Sequence, residues 1–135
     1  MGSVIKRVEG WEHILADELW KARSLRFEWG VCDCVIWSAN VVLAMTGVDL
    51  MADIRGAYHS QLSAYRIIKE KEGTLEACVS ARLAKLPLQL ARRGDIIRWE
   101  HSLGICAGEK AFFLTESQGI QPVPLIRCES AWKVG

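Results

Sequence analysis

The sequence predicts an α+β domain in which N-terminal helices pack on a C-terminal antiparallel β-sheet. Two observations indicate this class: apolar residues recur at three- and four-residue spacing through the first half of the chain, and they form short strand-like runs after Pro87. The 135 residues are 50% hydrophobic, which is enough for one buried core. We therefore expect a single domain over residues 1–135, with a helical half at about 10–86 and a sheet half at about 91–135.

Four segments of the first half have helical signals: 11–23, 34–45, 61–72 and a short segment that begins at Leu75. The second segment has almost no polar face, and a helix that is apolar nearly all round is buried. Gly47 suits the left-handed position that ends such a helix. Ser60 and Thr74 are suitable N-caps for the third and fourth helices. The fourth predicted helix stops at Pro87.

Five short runs in the second half are predicted strands: 95–99, 102–107, 111–115, 120–123 and 131–134. Glu109 and Lys110 form the predicted tight turn between the second and third of these runs. Strands that follow one another through short turns pair side by side, so the second half should form an antiparallel sheet.

The charge balance argues against two classes of partner. The net charge is +1, from 17 basic and 16 acidic side chains that are interspersed along the chain. This distribution gives no electrostatic reason to expect a nucleic-acid partner. The sequence has no apolar run long enough for a membrane span and no apolar signal core near the N-terminus. We expect the chain to be made and kept in the cytoplasm unless it leaves as part of a larger particle.

The five cysteines stand at irregular positions, namely 32, 34, 78, 106 and 128. An odd, irregular set without a signal peptide is typical of reduced thiols. The spacing Cys32-x-Cys34 differs from the Cys-x-x-Cys spacing of zinc and thioredoxin-like sites. We therefore predict neither a metal site nor a cofactor, and a metal-bound or redox role of the cysteines is the remaining alternative for this set.

The stretch 27–34 contains the candidate functional residues. Asp33 is a suitable N-cap for the buried helix, because its carboxylate can accept backbone N–H groups of the first turn. Cys34 then lies in that first turn, where the positive end of the helix macrodipole favours a thiolate. Trp29 and Gly30 precede the cap and are expected to support the site, with Trp29 packing against the helix. These features make Cys34 a candidate nucleophile.

A plainer interpretation of the same residues is that they are structural. Free cysteine is among the most buried residue types, and Cys34 can simply be a small core residue. His59 follows a loop rich in charged residues and glycine, and it is either a solvated loop residue or a histidine that faces the cleft.

Three short motifs carry a resemblance to a known superfamily. They are Asp33-Cys34 at the start of the buried helix, Arg93-Gly94-Asp95 before the first main strand, and Leu103-Gly104-Ile105 in the next strand. In this order and at this spacing the chain resembles the NlpC-type, papain-like cysteine peptidases. It is most similar to an uncharacterised branch found in tailed-phage and prophage tail gene clusters. The resemblance implies a papain-like, NlpC-type version of the predicted fold, with Cys34 at the position of the nucleophile.

The general base of that superfamily stands at a position where this sequence has no histidine. Active members have histidine immediately before the Val-Gly-Ile-like triplet, and here that position is Ser102, with His101 one residue earlier. If the strand alternates regularly, Ser102, Gly104 and Cys106 face the helix that carries Cys34, and His101 points away from it. A bulge at residues 100–101 would restore the facing.

The third polar residue of the superfamily falls near Leu114, which cannot orient an imidazole. Thr115 or Glu116 would do so only after a shift in strand register. A cysteine without a base within hydrogen-bond reach loses most of its activation.

Two functions follow as hypotheses. The first is a structural or catalytically degenerate component of a phage tail tip, which docks on other tail or hub proteins, is assembled in the host cytoplasm and resides in the virion tail. The alternative is an active cysteine peptidase or amidase that cuts peptidoglycan stem peptides during infection, with Cys34 as nucleophile, His101 as base and the Cys34 backbone N–H in an oxyanion hole.

Overall fold

The computed structural model describes residues 5–135, and over that range helices precede an antiparallel sheet. The predicted α+β class is therefore confirmed. The helices are α1 Trp11–Ala22, α2 Cys34–Thr46, α3 Gln61–Lys71 and α4 Leu75–Ser80. The strands are β1 Lys85–Leu86, β2 Ile96–Trp99, β3 Ser102–Cys106, β4 Lys110–Thr115, β5 Gly119–Pro124 and β6 Ser130–Trp132. Two 3-10 helices, Leu88–Leu90 and Leu125–Arg127, lie between strands.

The six strands form one sheet in the order β1-β6-β2-β3-β4-β5, and every neighbouring pair is antiparallel. All five predicted strands are present. The prediction that the fourth helix continues to Pro87 is wrong, because α4 ends at Ser80 and the chain then forms β1. Strand β1 has only two residues, so it is too short to show an alternating pattern in the sequence. Its extended conformation comes from pairing with β6.

The apolar helix α2 lies between α1 and the sheet, as its composition predicts. Its side chains are buried almost all round, with Trp37 and Met45 among the largest. They pack with α1 on one side and with residues such as Ile105 and Trp132 of the sheet on the other. Gly47 ends α2 in a left-handed conformation at φ +78°, as predicted. This central helix fixes the position of Cys34 relative to the sheet.

The facing predicted for Gly104 and Cys106 of β3 is wrong. Leu103 and Ile105 pack in the core that contains α2, whereas Cys106 packs with Phe113 in a second core on the opposite face of the sheet. A Cβ added to Gly104 would meet the Phe113 ring at 2.6 Å, which places Gly104 on that opposite face as well. The alternation follows the larger apolar side chains, because these fill the space against the helices better than serine and glycine do.

A buried ion pair joins the two ends of the chain to the sheet. Arg7 Nη2 lies 3.0 Å from Asp95 Oδ1, and the Val134 backbone N–H donates to the same oxygen at 3.0 Å. The Arg92 backbone N–H donates to Asp95 Oδ2 at 2.8 Å. Asp95 is fully buried, so its carboxylate needs these donors. The aspartate of the Gly94-Asp95 motif thus has a structural role at the start of β2.

Strand β5 forms one outer edge of the sheet and contains two prolines. Pro122 pairs with Phe112 and Pro124 pairs with Lys110 of β4. Proline has no N–H to donate to a neighbouring strand, and in sheets it is confined largely to such edges.

Candidate functional site

The start of α2 is held by the predicted cap. Asp33 is buried, and its Oδ1 accepts the Ile36 backbone N–H at 2.9 Å. Its Oδ2 accepts the Gly30 backbone N–H at 3.0 Å and the Tyr58 hydroxyl at 2.5 Å. Asp33 is therefore confirmed as the N-cap, and it also connects the cap to the loop that precedes α3.

The contact between Gly30 and that loop is unusually close. Gly30 has a left-handed backbone at φ +79°, and a Cβ added to it would lie 1.9 Å from the Tyr58 carbonyl oxygen. Only glycine allows two backbone segments to approach in this way. Gly30, Asp33 and Tyr58 form a unit that we call the clasp. The clasp holds the residue 48–59 loop against the N-terminus of α2.

A cavity of about 840 Å³ opens beside the clasp. Helices α3 and α4 supply one apolar wall, and the residues around Cys34 form another part of the lining. The turn between β2 and β3 supplies a polar end. The lining includes Trp29, Cys34, Leu62, Tyr65, Glu76, Arg98, Glu100 and His101. A cavity of this size suits a peptide segment or a small ligand.

Cys34 lines this cavity but is only 7% exposed. Burial raises the pKa of its thiol to about 11, and the neighbouring Asp33 carboxylate acts in the same direction. The Leu103 backbone N–H and the Ser102 hydroxyl oppose this shift as hydrogen-bond donors, but they do not outweigh it. The predicted preference for a thiolate at the helix N-terminus is therefore not met, because desolvation of the anion exceeds the effect of the macrodipole.

His101 lies at the tip of the β2–β3 hairpin. Trp99 pairs with Ser102, so residues 100 and 101 form a two-residue turn and not a bulge. His101 and Cys34 line the same cavity, and the prediction that His101 points away from the helix stays a prediction. Among residues 5–135, however, no hydrogen bond joins the Cys34 sulfur to a histidine. The other candidate, His59, is exposed and lies outside the cavity lining.

Residues near the third position of the superfamily do not orient His101. Leu114 is buried in the core against the helices. The Thr115 hydroxyl donates to the Gly119 carbonyl oxygen at 2.7 Å. The Glu116 carboxylate accepts the indole N–H of Trp29 at 3.1 Å. Trp29 is thus held at the cavity by a residue of the β4–β5 turn, which the sequence did not indicate.

A charged network in the cavity lining was also absent from the sequence-based prediction. Glu76 of α4 accepts hydrogen bonds from Arg98 at 2.8 Å and from the Ser130 hydroxyl at 2.5 Å, and it pairs with Lys85. Partial burial raises the pKa of Glu76, but these donors outweigh that effect and lower it to about 2. The partners come from β1, β2 and β6 and lie up to 54 residues away, so no local spacing could reveal them.

Within residues 5–135, no three side chains of the His, Cys, Asp and Glu types are grouped for metal binding, and all five cysteines are free thiols. None of the helices in that range has the length and apolar character needed to cross a membrane.

A comparison with protein families identifies the chain. The DUF6950 model, described as a domain of unknown function, matches residues 6–134. The chain belongs to the DUF6950 family. The match covers the helices, the sheet, the clasp and the cavity as one unit. A search of curated proteins finds no match.

Proposed function

We propose that this DUF6950 domain is a structural component of a phage tail tip, built on an NlpC-like fold in which the cysteine is no longer an activated nucleophile. In this proposal the protein is assembled in the host cytoplasm, resides in the virion tail and docks on other tail or hub proteins. The proposed origin in a tail gene cluster is supported by the motif resemblance. The proposed loss of cysteine peptidase activity is supported by the surroundings of Cys34.

The observation that carries this proposal is the state of Cys34. A thiol with a pKa of about 11 contains about one part in ten thousand of thiolate at pH 7, and thiolate is the nucleophilic form. Cysteine peptidases obtain their thiolate from an adjacent imidazole. Among the described residues the donors beside the Cys34 sulfur are instead the Ser102 hydroxyl and the backbone N–H groups of Leu103 and Val35. None of these groups can remove the thiol proton.

The second candidate function is a cysteine peptidase or amidase of peptidoglycan. One observation favours it, namely that His101 and Cys34 line one cavity. For catalysis His101 must accept the thiol proton, so that the sulfur attacks the amide carbonyl and a thioester forms. His101 then returns the proton to the departing amine, and water hydrolyses the thioester. This sequence requires hairpin movement that brings the imidazole within hydrogen-bond distance of the sulfur.

Site-resolved alkylation distinguishes the two functions. The folded chain is treated with iodoacetamide from pH 6 to 11, and modification of Cys34 is followed by peptide mass spectrometry. The structural proposal predicts a rate that rises about tenfold per pH unit from pH 6 to about pH 10, with no plateau below that, and that is the same in His101→Ala. An active site would instead show a midpoint well below the free-cysteine value of about 8.5, and His101→Ala would raise it. His59→Ala is the matched control, because His59 is an exposed histidine outside the cavity.

The proposed location of the protein in the virion tail is tested separately. Tailed particles produced from a genome that encodes this chain are purified and analysed by quantitative mass spectrometry. We expect the chain at a fixed ratio to the tail proteins. Its presence in the host lysate and absence from the particles would refute the tail-tip assignment.

A further inference from the structure

The cavity has an apolar wall that the rest of the domain does not cover. Leu62 and Tyr65 of α3 line the cavity and are 57% and 60% exposed. Exposed apolar side chains that group around a cavity are typical of a docking site.

Among the described residues, the basic side chain at the mouth of the cavity is neutralised by ion pairs, whereas one acidic side chain is not. Arg98, the basic residue of the lining, is paired with Glu76 and Glu129. Glu100 also lines the cavity, and within residues 5–135 its carboxylate takes part in no ion pair. The cavity thus presents apolar surface next to one negative charge that can accept a basic side chain.

A second surface of the domain has the complementary character. Leu90 and Ile126 are 64% and 90% exposed, the largest exposures of apolar side chains in the second half of the described chain. They belong to the two 3-10 helices, which contact each other. Arg127 follows Ile126 directly and is exposed. We call Leu90, Ile126 and Arg127 the 3-10 patch.

The 3-10 patch and the cavity lie on different sides of the sheet. Leu125, in the same 3-10 helix as Ile126, packs on the core that contains Phe113, whereas the cavity is bounded by α3 and α4 on the helical side. The patch of one copy therefore cannot reach its own cavity, and two unlike surfaces are available for contact between copies.

We propose that the 3-10 patch of one copy of this chain docks in the cavity of a second copy. Ile126 then packs against Leu62 and Tyr65, and the Arg127 guanidinium pairs with the Glu100 carboxylate. Since the two surfaces differ, the contact is head-to-tail and repeats from copy to copy, which gives a closed ring or an open chain and not a two-fold dimer. This inference goes beyond the tail-tip proposal and does not depend on it.

The first test is the association state of the full chain, measured by sedimentation equilibrium over a range of concentrations. Wild type should form species larger than a dimer. Ile126→Asp and Tyr65→Asp should each weaken association at least tenfold. Both side chains are largely exposed, and far-UV circular dichroism verifies that the variants fold. Trp20→Asp, which removes a residue 67% exposed on α1, is the matched control and should associate as wild type does.

Mixing the two variants tests the head-to-tail geometry. Ile126→Asp keeps an intact cavity, and Tyr65→Asp keeps an intact patch. An equimolar mixture should therefore form a one-to-one dimer and no larger species. A contact between two like surfaces predicts no rescue on mixing. Arg127→Glu should also weaken association about tenfold, and addition of Glu100→Arg in the same chain should restore it.

The inference would be overturned by a wild-type chain that is still a monomer at about 1 mM, by an Ile126→Asp variant that associates normally, or by a mixture that stays monomeric. A monomer that binds a different tail protein through the cavity would also overturn it, and would leave the tail-tip proposal standing. The alkylation profile of Cys34 decides the catalytic question independently of all these results.

Discussion

The clasp allows a sharp test of how the site is held together. In Gly30→Ala the new Cβ would lie 1.9 Å from the Tyr58 carbonyl oxygen, so the 48–59 loop must move. The left-handed backbone costs alanine about 1–2 kcal/mol, partly offset by the reduced freedom of the unfolded chain. Overpacking against a backbone atom adds about 1–3 kcal/mol. We therefore expect the free energy of unfolding to fall by about 2–4 kcal/mol.

Gly47→Ala is the matched control for this experiment. Gly47 has φ +78°, close to the φ +79° of Gly30, but a Cβ added there meets nothing within 4 Å. Its cost should be only the conformational one, about 1 kcal/mol. Urea unfolding followed by circular dichroism gives both free energies of unfolding. The two values can be compared when the dependence of that free energy on urea concentration (the m-value) is the same in both variants. Alkylation of Cys34 at one pH should be faster in Gly30→Ala alone, because the displaced loop opens the cavity. Equal destabilisation by the two substitutions would refute the close-approach argument.

Three further predictions concern single residues around the cavity. Because the folded pKa of Glu76 is about 2 and lies below the model-compound value of 4.5, its carboxylate stabilises the fold above about pH 4.5, and this contribution is lost as the pH falls toward 2. Wild type should therefore lose more stability than Glu76→Gln between pH 6 and pH 3 in urea titrations, and parallel losses would contradict the assignment. Glu100 has φ +53°, so Glu100→Gly should relieve strain and raise stability by up to about 1 kcal/mol, seen as a higher Tm; a lower Tm would show that the turn is not strained. Tyr58→Phe removes one of three donors to the buried Asp33 carboxylate and should cost about 1–3 kcal/mol in urea unfolding, whereas a cost below about 0.5 kcal/mol would mean that the hydroxyl contributes little.

The parts of the fold that local pattern determines were predictable. The buried character of α2, the cap at Asp33 and the left-handed end at Gly47 each follow from a few adjacent residues, and the structure confirms them. The five longer strands follow from short apolar runs. Strand β1 does not, because two residues carry no period and its conformation depends on β6, about 46 residues further along the chain.

The site was less predictable, for three physical reasons. The facing of β3 depends on which core demands the larger side chains, and the prediction therefore placed Gly104 and Cys106 on the wrong face. The pKa of Cys34 depends on burial, which the helix-dipole argument does not include. The network around Glu76 joins residues that are distant along the chain. Each of these properties belongs to the packed domain and not to any one segment.

The prolines of β5 bear on how copies of this domain behave at high local concentration. Since Pro122 and Pro124 cannot donate to β4, their nitrogens must point outward, and the outer edge lacks amide hydrogens at two positions of a six-residue strand. The opposite edge, β1, offers only two residues. Exposed strand edges are templates for fibrillar aggregation, and both edges of this sheet are poor templates. Crowded copies are thereby protected against uncontrolled strand pairing, which leaves side-chain surfaces free to define a specific assembly.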